Sequence, residues 1–155
     1  MKAACKQFDK IDKCITKWMG KHGVEYLRWS LAIVFIWFGI LKPLGISPAA
    51  SLVAKTVYWF DPSFVIPFLG WWEVAIGLCL LYKPMIRVGI FLMGLQMVGT
   101  FLPLILLPGV TWQAPFVLTM EGQYIVKNLV LISAALVVGS KVRKNGKSWI
   151  SPFTY

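Results

Sequence analysis

From Val88 to Met120 the chain carries no Asp, Glu, Lys or Arg, and that stretch limits what it can fold into. A helix of about 20 apolar residues crosses a hydrocarbon slab about 30 Å thick. Lipid offers no partner to a bare peptide group, so such a run must satisfy its own backbone hydrogen bonds. Three further apolar runs recur, and together they predict helical spans at 27–44, 64–82, 85–107 and 122–139. The first is interrupted only by Arg28 and Lys42. Those two lie about 21 Å apart along a helix, so each sits near one face of the slab. The second span contains Glu73, the third starts after Lys83 and Pro84, and the fourth carries Lys127 near its start.

Hydrophobic residues make up 58% of the 155 and the mean hydropathy is +0.71, beyond what a soluble domain of this length needs. A net charge of +10 raises the question of a nucleic-acid partner, and the distribution of that charge answers it. Seven basic residues fall at or before Arg28, two more are Lys83 and Arg87, and Lys141, Arg143, Lys144 and Lys147 follow the last run. Four spans place all thirteen on one side of a membrane, which is the positive-inside pattern. No nucleic acid is expected. The fold class expected is an all-α, integral membrane four-helix bundle over 24–140 with both termini cytoplasmic.

The segment 1–23 has no apolar core after its basic start, so it does not read as a signal peptide. Phe8, Ile11, Ile15, Trp18 and Met19 share one helical face with lysines around the rest, an amphipathic helix suited to an anionic inner leaflet. The residues 141–155 read as a basic cytoplasmic tail. The first outer loop, 47–63, is long enough for an interfacial helix, with Ser47 as N-cap, Pro48 in the first turn, and Tyr58, Trp59 and Phe60 at headgroup level. The second outer loop reads as irregular, broken by Pro108, Gly109 and Pro115, with Trp112 as its anchor.

Ionisable groups within hydrocarbon are expensive and should share a face with partners. Arg28, Ala32, Phe35, Gly39 and Lys42 form one helical stripe. Arg28 reads as a snorkelling anchor. Glu73, Lys127 and Asn128 descend from the outer side, while Gln96 and Thr100 rise toward it, so all reach overlapping depths. The proline after Lys42 should end the first helix there and free carbonyls toward the same region. Lys42, Glu73, Gln96, Thr100, Lys127 and Asn128 are therefore the candidate ligand-binding residues. Two readings stand side by side. In one, Glu73 bridges Lys42 and Lys127 as an ion-pair staple. In the other, the cluster is a pocket whose surplus positive charge polarises a carbonyl or holds an anion. Gly70 and Gly77 beside Glu73, and Ala135 with Gly139, mark close helix packing.

Cys5, Cys14 and Cys79 form no metal-ligand spacing, and a single histidine rules out bis-histidine haem. No nucleophile–base pair or paired carboxylates occur, so no catalysis by the chain alone is expected, and no catalytic or metal residue is assigned.

The segments LRWSLAIVFIWFGILK, PFLGWWEVAIGLCLL and GQYIVKNLVLISAALVVG resemble DoxX-like membrane proteins over about residues 22 to 140. Among these they are most similar to the YkgB/RclC-type bacterial inner-membrane proteins. The resemblance implies a four-helix membrane bundle and a role in oxidative-stress defence, reactive chlorine resistance in particular. It also implies association with quinol or thiosulfate oxidation, with quinone as the cofactor and an oxidoreductase subunit or a second copy as the partner. Distant relatives suggest a third role, membrane-protein assembly.

Overall fold

The computed structural model describes the backbone of residues 2–145 and the side chains of residues 9–142. The expected tail beyond residue 145, and the side chains of Cys5 and Phe8, lie outside the described residues. The described chain is built from α1 (Lys2–Leu41), α2 (Ala50–Thr56), α3 (Pro62–Leu81), α4 (Ile86–Leu106), α5 (Pro108–Thr111), a hairpin of β1 (Trp112–Ala114) and β2 (Val117–Leu118), and α6 (Met120–Asn145). Helices α1, α3, α4 and α6 are each long and apolar enough to cross a membrane. The chain is a multi-pass membrane protein of the all-α class. Its four long helices form a ring in which α1 packs on α3, α3 on α4, α4 on α6, and α6 back on α1.

The core runs along the axis of that ring through Ala32, Phe35, Ile76, Leu80, Met93 and Val138. Large apolar side chains such as Trp37, Phe91, Val98 and Val130 point outward, as they must where the surrounding solvent is lipid. The stripe foreseen on α1 is the buried one: Arg28, Ala32, Phe35, Gly39 and Lys42 all lie inside.

Proline sets three of the helix ends, and each leaves a carbonyl that needs a donor. A proline at position i cannot donate to the carbonyl at i−4. Pro43 thus releases Gly39, whose oxygen takes the Lys42 N–H at 3.3 Å instead. Pro84 releases Leu80, whose oxygen accepts from Arg28 at 3.0 Å. Pro108 releases Leu104, whose oxygen accepts from the Trp112 indole at 3.1 Å. Trp112 is therefore half-buried and tied back to α4.

Several expectations change at the ends. Segment 2–23 and the first span are one unbroken helix, so no turn separates the amphipathic part from the apolar part. Helix α6 continues six residues beyond Gly139, to Asn145. Ser47 is not the N-cap of α2: the helix begins at Ala50 after Ala49, and the Ser47 carbonyl accepts from Ala50 in the preceding turn. The second loop is ordered by α5 and the hairpin, with Phe116 at its tip in a left-handed conformation (φ 62°).

Candidate functional site

The α1–α3 seam is built around two glycines. A Cβ on Gly39 would stand 2.8 Å from the Gly70 carbonyl oxygen and 3.0 Å from the Glu73 Cβ. A Cβ on Gly70 would stand 2.6 Å from the Gly39 oxygen and 2.8 Å from the Lys42 Cβ. Each glycine thus leaves the room that the other helix's charged side chain fills. Lipid supplies no hydrophobic force between helices, so this close fit is what holds them.

Lys42 and Glu73 meet across that crossing as an ion pair, Nζ to Oε2, with both side chains largely buried. Gln96 of α4 donates from Nε2 to the other carboxylate oxygen, Oε1, at 2.8 Å. Three helices are joined at one carboxylate whose two oxygens are both engaged. The helix break at Lys42 and Pro43 is present, but its carbonyls are closed off. Gly45, at φ 74°, lets its own N–H reach the Lys42 oxygen and the Ile46 N–H reach the Leu41 oxygen, a Schellman cap.

Above this polar floor lies a cavity of about 550 Å³. Its walls are apolar, among them Phe64, Phe68, Leu69, Leu95 and Pro103, and α2 lines one side through Leu52, Val53 and Thr56. Thr56 is buried and donates its hydroxyl to the Leu52 carbonyl at 2.7 Å, so it adds no free donor. Volume and lining match a small amphipathic molecule: apolar walls for its body and a few convergent polar groups for its head.

Of the six sequence candidates, Lys42, Glu73, Gln96, Thr100 and Asn128 all line this cavity. Thr100 bonds back to the Gln96 carbonyl at 3.0 Å, and the Asn128 amide donates to the Tyr124 and Ile125 carbonyls at 3.0 and 3.1 Å. Lys127 is the exception. It is exposed on α6, its Nζ lies 5.1 Å from the Tyr124 ring centroid, and it makes no ion pair with Glu73. Lys127 turns about 100° from Asn128 and falls outside the face of α6 that Tyr124, Ile125 and Asn128 present to the cavity.

Arg28 is also placed differently from expectation. It is buried and donates to the last carbonyls of α3, Leu80 and Leu81, each at 3.0 Å, with Glu25 alongside at 3.4 Å. It caps a helix and does not snorkel. Trp72, by contrast, lines the cavity and was not among the candidates. Its signal was its depth: it lies ten residues into α3, away from the ends where tryptophan usually anchors.

Comparison with protein-family models, with curated proteins and with solved structures gives no match to this chain. The reading of the site therefore rests on its own geometry. That geometry can hold a polar head against a cation that is already paired, and it can shield an apolar body from water.

Proposed function

We propose that this chain is an accessory, ligand-binding protein of the bacterial inner membrane that acts in defence against reactive chlorine and related oxidants. Its ligand is a small lipid-soluble molecule of quinone-like character, held with its head at Lys42, Glu73 and Gln96. The single observation that carries the binding reading is the cavity of about 550 Å³, apolar in its walls and ion-paired at its floor. The oxidant context comes from the resemblance to YkgB/RclC-type proteins. The clustering of Lys83, Arg87 and Lys141 at one end of the bundle supports a cytoplasmic location for that end. The cavity then opens in the outer half, to a ligand arriving from the periplasmic side or the outer leaflet.

The test pairs chemistry with phenotype. Small molecules retained by gently purified protein are compared by mass spectrometry between wild type and Glu73→Gln, and cells carrying each are challenged with hypochlorite. Loss of both the retained species and the protection is the expected result. A retained species that is the same in both proteins would remove Glu73 from the site.

One observation favours a second reading. Both oxygens of Glu73 are already occupied by protein donors, as in a staple that joins α1, α3 and α4. On that reading the chain serves assembly of other membrane proteins and needs no ligand, and replacing Lys42 and Glu73 together by uncharged residues leaves protection intact.

A further inference from the structure

Trp72 precedes Glu73 on α3 and shares in lining the cavity, packed beside Phe68 with ring centroids 6.0 Å apart. Its indole Nε1 is shut away from solvent and donates to no acceptor among the described residues. A buried donor without an acceptor gives up the hydrogen bond that water makes to it in the unfolded chain. Native proteins leave few such groups, and each has a reason such as strain, a chemical role, or a water or ion that completes it.

The floor of the same cavity offers a further donor. Lys42 has three ammonium hydrogens and its described acceptor is Glu73. Each oxygen of Glu73 already accepts one bond, from Lys42 and from Gln96. The charge, meanwhile, is balanced. Among the described residues lining the cavity, Lys42 and Glu73 are the charged ones, and they carry opposite signs. Lys127, which would have supplied a surplus positive charge, is exposed elsewhere on α6. A charged ligand would bring an unmatched charge into a space of low dielectric, which is strongly unfavourable. A neutral ligand brings none.

We infer that the cavity selects a neutral amphipathic molecule whose head carries a carbonyl-type oxygen, and that the Trp72 indole N–H, with Lys42, is the donor that recognises this oxygen. The inference rests on the cavity-binding reading above and adds to it the charge class of the ligand and a specificity-determining residue. A ligand seated between Phe68 and the floor would part the two rings and give the N–H its missing acceptor.

The experiment uses the full chain in lipid nanodiscs with three probes: decyl-benzoquinone, decylbenzene and decanoate. Binding is measured by calorimetry against empty discs, for wild type, for Trp72→Phe, and for a chain with benzothienylalanine at position 72. The last keeps the shape of the indole and replaces its N–H by sulfur, so it stands in if Trp72→Phe fails to fold. The neutral diketone should bind wild type best, and loss of the N–H should weaken it about fivefold, the worth of one buried neutral hydrogen bond. Decylbenzene should be unaffected by either change. Equal binding of the diketone to wild type and to the benzothienyl chain would overturn the role of Trp72 while leaving the cavity reading intact. A preference for decanoate would overturn the neutral class. No binding of any probe above empty discs would overturn the cavity reading, and this inference with it.

Discussion

Arg28 and Lys42 are two cations on the same stripe of the same helix, 6% and 7% exposed, and the protein treats them in opposite ways. Arg28 meets finished business. The Leu80 carbonyl that Pro84 cannot serve and the neighbouring Leu81 carbonyl both accept from it, at the negative end of the α3 dipole. Lys42 meets a carboxylate at the edge of a cavity, with donors to spare. Burial alone therefore does not mark a functional charge. What separates the two is where each is aimed: Arg28 is spent on the carbonyl end of a helix, whereas Lys42 stands with its carboxylate on the wall of a cavity.

The sharpest way to break that contrast is to remove one partner of the open pair. Lys42→Met strands Glu73 with Gln96 alone and should destabilise the bundle by about 3 kcal/mol, read as reversible unfolding in mixed micelles. Adding Glu73→Gln should restore most of that loss, because no charge is then left unpaired. The double variant should still retain no ligand. If it keeps the ligand as well as its stability, the pair does not hold the ligand and Lys42 differs from Arg28 in nothing that matters.

Arg28→Met comes next. It removes two charge-assisted hydrogen bonds to the end of α3 and should cost about 2 kcal/mol, with retained ligand unchanged by mass spectrometry. An emptied cavity in this variant would mean that the two ends of the stripe are coupled, and the contrast would fail.

How far the sequence could carry this comparison depends on which quantity each residue reports. The four spans were legible because hydrophobic length is a sum over many residues, and small errors cancel. The buried stripe on α1 was legible for the same reason, since helical spacing is fixed at 3.6 residues per turn. Lys42, Glu73 and Gln96 followed from depth together with helix face, because a charge in hydrocarbon must find a partner at its own level. Lys127 did not. Depth alone put it on the list, but its direction on α6 depends on which face of that helix packs inward, and hydropathy is high all round it. Arg28 was missed because its partners are backbone carbonyls, freed by a proline more than 50 residues away, which no pattern in residue types displays. The hairpin after α5 was missed because five strand residues are too few to show an alternation.

Lys127→Met sharpens the contrast from the other side. A cation that faces outward on α6, seven residues from the helix start, can carry its ammonium to the headgroups by snorkelling and should be worth no more than about 0.5 kcal/mol. Retained ligand should be unchanged. Loss of ligand here, at a level comparable to Glu73→Gln, would return Lys127 to the site.

The smallest effect is expected at the opposite end of α3 from Arg28, where Asp61 caps the helix in an exposed position. Its carboxylate accepts from the Ser63 N–H at 2.9 Å and the Ser63 hydroxyl at 2.8 Å. Those two bonds, the backbone one first, hold the Asp61 carboxyl below its ordinary value. A carboxylate whose folded pKa is depressed stabilises the protein above its unfolded pKa, and loses that contribution as pH falls through the folded one. Asp61→Ala should therefore lower Tm slightly at about pH 6, with the deficit closing below about pH 3 as the wild-type cap is protonated too. The helix thus has a water-facing cap at one end and a buried one at the other, and only the first should fade with acid in this way. A deficit of equal size at both pH values would show that Asp61 holds α3 by packing rather than by charge.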